Sequence, residues 1–584
     1  MIIQYISSTK ESVMDMRRAV TDLLREAILT AFPDIGVDSL PGPEMLEVPP
    51  DSKLGDFAYP CFRLAKPLRM APPKIAQAIA EAANQPEVAT AQPVNGYVNF
   101  FFHRANFAKN TLETIDKEGA GYGSQPDTGK TVVLDYSSIN IAKRFHIGHL
   151  STTVIGNSLK KIYSHLGWRT VGVNHLGDWG TQFGKMIAAF LRWGNWEMVE
   201  EGGIDALTKL YVRFHQEAEN NPALEDEGRA WFKKIEDGDP EALSIFNRFK
   251  ELTLKDAQRV YDLLGVTFDS YNGEAFYNDK MGRVVDELRD KGLLVESDGA
   301  YVVDLEDYKM PPCLILKSDG ATLYATRDLA AALWRKDNYH FDKCLYVVAY
   351  QQNLHFQQVF KVLELMGYDW AREQMEHVAF GMVSFEGQAM STREGRVVHL
   401  DDLLHRAQEK ALSIMQEKSP GLADMAQAAR DVGVGAVVFT TLLNNRIKDI
   451  DFWWDRALNF DGDTGPYVQY THTRCCSLLR RAQEADLTAF PDYSVLADDE
   501  AQAVLRLLSR FPEAIRAAQK DNEPSVITRA TLEVAKAFNK YYYEHRILDG
   551  EPQQVAARVM LTRAVRDIIR LGLSLIGVSA PERM

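Results

Sequence analysis

Two histidines three residues apart, His146 and His149, flank a glycine in the string His146-Ile147-Gly148-His149. Imidazoles at that spacing project from one side of a helical turn. Both can donate hydrogen bonds to a triphosphate as its charge redistributes in a transition state. Gly148 puts no side chain between a nucleotide and the backbone. A second set of residues suits a planar cation. Tyr324 and Asp328 are four apart and share a helix face, where an acid pairs with a guanidinium and a ring flanks it. Glu274 closes the turn Phe268-Asp269-Ser270-Tyr271-Asn272-Gly273-Glu274 and offers a second acid to bracket the same cation. Plainer readings stand beside these. The histidines could open an ordinary surface helix, and Asp328 could pair with Arg327 or Arg335.

The surrounding elements favour a site. Residues 131–136 form an apolar, β-branched run, the pattern of a buried strand, and 137–145 are polar and turn-rich. From Ile147 the apolar positions Leu150, Val154, Ile155, Leu159, Ile162, Tyr163 and Leu166 share one helix face, and Gly167 stops the helix. The histidines therefore sit on a first helical turn, whose unpaired N–H groups and partial positive charge suit a phosphate. A strand at 170–174 completes a strand–helix–strand unit of doubly wound type. His175-Leu176-Gly177-Asp178-Trp179-Gly180 follows at once, where such sheets bind ligands; a tight structural turn around a packed Trp179 is the alternative.

A second such unit runs from the apolar stretch 343–350 through Gln351-Gln352-Asn353-Leu354-His355-Phe356 into a helix, with His355 read as a packed or capping residue. Between the two units, 190–300 is a charged helical insertion, and 301–303 with 313–316 read as a hairpin returning to the core. Upstream, 12–32 has an amphipathic helix pattern that includes Met14 and Leu29. Pro72-Pro73 opens a helix at 74–83, and 96–102 alternates as a strand. This makes 1–120 a small α+β domain, with a linker at 119–130. From about 400 onward the pattern is helical almost throughout, with helices at 500–519, 525–544 and 553–576. Lys540-Tyr541-Tyr542-Tyr543-Glu544-His545 mixes rings with basic groups, which suits unstacked bases or a helix burying alternate tyrosines.

Bulk properties set limits. At 584 residues the chain holds three or four domains. No apolar run approaches the ~20 residues of a membrane span, and the start lacks a signal-peptide pattern. Cys61, Cys313, Cys344, Cys475 and Cys476 are odd in number and form no CxxC pair, so a disulfide framework and a zinc knuckle are disfavoured and a reducing cytoplasm is expected. The net charge of −15 argues against wholesale nucleic-acid binding, but 501–584 carries 13 Lys or Arg against 9 Asp or Glu and is locally basic.

A strand leading through a loop into His146-Ile147-Gly148-His149 resembles the class I aminoacyl-tRNA synthetases. Ser138-Ile139-Asn140-Ile141-Ala142-Lys143, just upstream, is similar to the arginyl-tRNA synthetase version, as are Gly55-Asp56-Phe57, Gly96-Tyr97-Val98-Asn99-Phe100, the 175–184 string and Asp461-Gly462-Asp463-Thr464-Gly465-Pro466. The resemblance implies an α/β class I Rossmann-type doubly wound parallel sheet, an N-terminal α+β domain and a C-terminal all-α helical bundle. It implies domains at 1–120 (contacting the tRNA corner), 121–400 (catalytic) and 401–584, the last with an anticodon-binding domain at about 461–584. The implied activity is arginine–tRNA ligation with ATP and Mg2+, with activation requiring bound tRNA(Arg). His146, His149 and Lys143 would be catalytic. Gly148, Gly381, Met382, Val383, Ser391 and Arg393 would join the two histidines on ATP, and Ser138, Asn140, Glu274, Tyr324, Asp328 and Gln352 would hold arginine. No protein-held metal and no membrane are implied, and a monomer is expected.

One departure is marked. The family's Lys-Met-Ser-Lys-Ser loop reads Ala389-Met390-Ser391-Thr392-Arg393 here, without the second lysine that steadies pyrophosphate. Lys143 is the expected compensating cation, with Arg393 or Arg396 as lesser candidates. A synthetase for another amino acid, or a catalytically silent RNA-binding paralogue, are the competing readings.

Overall fold

Thr131–Asp135 forms the central strand, β1, and is buried along its whole length. A run apolar on both faces is what a parallel strand covered on both sides requires. In this computed structural model, which describes residues 16–584 apart from 84, 318–322, 390–397, 419–420, 423 and 485–488, β1 leads through a loop into helix α1 (Gly148–His165) and strand β2 (Arg169–Val173). The second unit comprises helix α2 (Tyr324–Tyr339), strand β3 (Lys343–Tyr346), helix α3 (Asn353–Leu365) and strand β4 (Met375–His377). All four strands are parallel, in the order β4-β3-β1-β2. The chain thus departs from β1 to one side and returns on the other. The crevice past the carboxyl ends of β1 and β3 is the switch point where such sheets bind ligands.

The core lies between the sheet and its helices. Val133, Val171 and Cys344 from the sheet meet Leu329, Ala332 and Leu333 of α2 and Phe356, Val359 and Leu363 of α3. The expected hairpin does return to this core, but as two members of a separate three-stranded antiparallel sheet, Leu294–Ser297, Ala300–Val303 and Cys313–Leu316. The insertion is helical as expected, at Trp196–Asn220, Ala223–Glu236 and Pro240–Leu264. The last of these starts on a proline and is capped by Asp239, whose carboxylate accepts from Ala242 N at 2.9 Å.

By contact density, Gly123–Arg474, Phe511–Ala535 and Ile568–Met584 form one unit, and Met1–Tyr122, Cys475–Arg510 and Lys536–Asp567 another. The second contains a three-stranded antiparallel sheet, Phe57–Pro60, Tyr97–Phe102 and Ala89–Val94 in spatial order. Its first helix, Met16–Ala31, buries Val20, Leu23, Leu24, Ala27 and Ile28. Leu29, expected on that face, is 42% exposed, because it lies a helical step beyond the buried stripe; Met14 lies outside the described residues. Among the described residues all five cysteines are buried, and no helix is long and apolar enough to cross a membrane.

Candidate active site

The histidine motif differs from the helix-first expectation in an informative way. Helix α1 begins at Gly148, so His146 precedes it. The backbone of 145–147 is drawn into strand-like pairing with 398–400. His146 bridges His399, Ile147 N donates to Val398 O at 3.0 Å, and Leu400 N donates to Phe145 O at 2.9 Å. The N–H groups at the start of α1 are also in use. Gly148 N donates to His146 Nδ1 at 3.1 Å, His149 N to His146 O at 2.8 Å and Leu150 N to Ile147 O at 2.9 Å. The expectation of unpaired donors is therefore corrected: a tight 3₁₀-like entry and a histidine ring have claimed them. Gly148 serves the ring as well, since a Cβ there would lie 2.8 Å from His146 Cε1.

What this entry presents instead is the pair of rings. Their centroids lie 3.9 Å apart, and His149 stacks on Phe145 at 5.2 Å. His149 Nδ1 accepts from the backbone N–H of His146 at 3.3 Å, as His146 Nδ1 accepts from Gly148. A backbone N–H only donates, so both Nδ1 atoms are acceptors and both rings carry their proton on Nε2. Burial pushes the His149 pKa down to about 3, aided by His146. Burial lowers His146 too, with His399 and Lys143 adding to it. At neutral pH these are two neutral Nε2–H donors. Lys143, exposed, is close enough for its charge to bear on both rings.

The acids meet at the switch point. Glu274 N donates to Leu176 O at 2.9 Å, and fully buried Asp178 accepts from Ala275 N at 2.8 Å and Lys250 Nζ at 2.6 Å. Asp178 thus fixes the turn that carries Glu274, and Trp179 packs edge-on against Phe232, so the tight-turn reading of this loop holds for these two residues. Burial raises the Glu274 pKa to about 7 against the pull of Arg327, with Asp328 and Asp178 adding to the rise. Neither ion pair weighed for Asp328 forms. Arg327 Nη1 goes to Glu274 Oε2 at 3.4 Å, and Arg335 Nη2 to Asp135 Oδ2 at 2.8 Å. Asp328 Oδ2 instead lies 2.6 Å from His355 Nε2. His355 is therefore an ion-pair partner rather than a packed or capping residue.

Asp135, Arg335 and His175 were not anticipated as a group. Arg335, 1% exposed, bonds Asp135 at the end of β1 and lies 3.3 Å from His175 Nδ1. Ser138 joins this network, donating to Asp135 Oδ1 at 2.9 Å. The available signal was a charged residue ending a buried strand, and Arg335 seven residues after Asp328 on the same helix face. Asn140 pairs with Gly177 in a parallel bridge. Tyr324 is 69% exposed at the start of α2 and Gln352 is exposed before α3. Among the described residues neither side chain hydrogen-bonds Glu274 or Asp328. Gly381 N donates to Arg446 O at 2.8 Å, Met382 N to Asp449 Oδ1 at 2.7 Å, and Val383 pairs with Ile450. Ser391, Arg393 and Arg396 lie outside the described residues.

Three family models match the chain. Residues 111–454 match "tRNA synthetases class I (R), catalytic domain", 468–584 the DALR anticodon binding domain and 18–102 the arginyl tRNA synthetase N terminal domain. Arginine–tRNA ligases of Alkaliphilus metalliredigens and Clostridioides difficile are 50% and 51% identical, over 98% of this chain and the whole of each relative. Among solved structures, the Thermus thermophilus arginyl-tRNA synthetase superposes with a TM-score of 0.80 at 27% identity, over 97% of this chain and all of that one. Methionyl-tRNA synthetase from Mycobacterium tuberculosis, at a TM-score of 0.51 and 12% identity, shares the fold. With a catalytic family model over more than half its length and relatives near half-identical from end to end, the chain belongs to the class I arginyl-tRNA synthetases.

Proposed function

We propose that the paired imidazoles of His146 and His149 receive the phosphates of ATP and that Glu274 and Asp328 receive the guanidinium of arginine. The protein is an arginine–tRNA ligase with ATP as a substrate. In the first step a carboxylate oxygen of arginine bonds to the α-phosphorus and pyrophosphate leaves. In the second a hydroxyl of the terminal ribose of tRNA(Arg) bonds to the carbonyl carbon of the anhydride, and AMP leaves with the bonding pair. The chain's share of this is positioning and charge stabilisation. Two neutral Nε2–H donors suit phosphate oxygens that gain charge, and Lys143 stands beside them in place of the second lysine that the 389–393 loop lacks. Mg2+ held by the triphosphate would neutralise charge on the leaving group. Triphosphate and water oxygens suit this ion, and the one three-ligand cluster found among the described residues, Asp498, Glu500 and His545, is outside the histidine motif.

On this reading Ser138, Asn140, Tyr324 and Gln352 complete the arginine site, Gly381, Met382 and Val383 face adenine, and Ser391 and Arg393 act on the phosphates. The working division is 1–120 at the tRNA corner, 121–400 catalytic and 401–584 helical, with anticodon contact from about 461. Activation waits for tRNA, and the enzyme works as a cytoplasmic monomer. The observation that carries the reading is the meeting of two partly buried acids, Glu274 and Asp328, at the switch point. Aminoacylation of total tRNA with each amino acid in turn tests it. Arginine alone should be charged, and Asp328→Ala should raise the KM for arginine at least tenfold. Unchanged arginine KM in that variant removes Asp328 from the pocket.

A further inference from the structure

Asp328 comes from α2 and His355 from the first turn of α3, and the two helices pack so that Nε2 and Oδ2 lie 2.6 Å apart. Both side chains keep about a quarter of their surface exposed, so the pair is open on one side. A carboxylate has two oxygens and about four acceptor positions, so one imidazole does not exhaust it. We propose that His355 is a positioning residue of the arginine pocket, holding Oδ2 of Asp328 so that Oδ1 stays open to the substrate guanidinium, and that it sheds one proton as that guanidinium binds. This rests on Asp328 being an arginine ligand, as proposed above.

The charges around the pair give the direction. Asp328 faces Glu274, Cys313, His175 and Arg335, and its charge is felt chiefly by His355. His355 faces Asp328 from α2 and His377 from β4. Burial disfavours charge on His355, but the hydrogen bond to Asp328 and its charge outweigh that and raise its pKa above the ordinary value. In the free pocket Asp328 therefore holds the imidazolium form of His355 to higher pH than an isolated histidine would keep it. An arriving guanidinium places a second positive charge on the same carboxylate, which expels the proton. The proton that leaves is the one on Nδ1, and it goes to solvent. Nε2–H stays and goes on holding Oδ2, so Asp328 keeps its orientation through the exchange. The sign follows: arginine binds more weakly as pH falls, by at most about tenfold per pH unit for one linked proton.

Glu274 is the other pocket group that titrates in this range, near 7, and its proton must also leave before it can accept a guanidinium. The test separates the two. Titration calorimetry of arginine into the full-length enzyme, in buffers of different ionisation enthalpy between pH 6.5 and 8.5, counts the protons released. His355→Gln keeps an N–H donor for Asp328 but has no proton to shed. It should release fewer protons than wild type and show a flatter pH dependence of Kd. Glu274→Gln should remove a separate share and leave that of His355. His355→Ala, which leaves Asp328 unheld, should weaken arginine binding by about tenfold. Proton release in His355→Gln equal to wild type overturns the inference while leaving the arginine pocket standing. Unchanged arginine affinity in Asp328→Asn overturns the pocket itself.

Discussion

Burial decides how the ionisable groups of this site behave. His149, pushed down to about 3, and His146, lowered in the same direction, carry no charge near neutrality. Glu274, raised to about 7, changes charge there. The two substrates should therefore answer to pH differently. The KM for ATP, which rests on rings whose charged form burial disfavours, should change less than that for arginine from pH 6.5 to 8.5. The KM for arginine should fall as pH rises through 7, because Glu274, one of the two acids that attract it, gains its charge only there. Steady-state aminoacylation across that range checks both. Removing one neutral donor is a different matter: His149→Ala should lower adenylate formation by about 10²–10³-fold in kcat, the scale of one transition-state donor. Single-turnover kinetics would show this, and a loss confined to KM would assign His149 to ground-state binding.

At the scale of elements, what was legible followed from period and punctuation. β1 announced itself as a mostly apolar, β-branched run, and α1 as a 3.6-residue stripe ended by a glycine. Packing between distant segments was not legible. The contact from His355 to Asp328 spans 27 residues and depends on how α2 meets α3. The capture of the Gly148 N–H by the His146 ring depends on a backbone course set by residues 398–400, some 250 positions downstream. Loop composition carries no trace of either. One element-level constraint is testable. Gly156 lies where α1 crosses the residue after β1, and a Cβ there would meet Tyr136 Cγ at 2.2 Å. Tyr136 is held in place by complete burial and a hydrogen bond to Thr267 O. Gly156→Ala should thus cost about 1–3 kcal/mol despite the better helix propensity of alanine, measurable by denaturant unfolding.

Within the unit that contains the parallel sheet, segments far apart in the chain complete one another. Tyr163 OH lies 2.9 Å from Asn522 Oδ1, Ser158 Oγ donates to Leu575 O at 2.9 Å, and Arg446 Nη1 lies 3.2 Å from Glu523 Oε2. Ser158, bonded to Leu575 O, is fully buried, so the side of α1 that meets the C-terminal segment is not a surface. A fragment spanning 123–474 would expose that face and strand its polar groups. It should unfold or aggregate, whereas the full chain gives protected α1 amides in hydrogen exchange. A stable, cooperatively folding 123–474 fragment would contradict this.

Arg327 rests on Glu274 at 3.4 Å, both largely buried. If Glu274 is where the amino acid's side chain docks, the enzyme carries a resident rival bearing the same functional group as its ligand. Every arriving molecule must then either evict that tenant or share the seat. Affinity is discounted by the fraction of time the seat is taken, and the vacated pocket heals itself after each turnover without waiting for solvent to fill it.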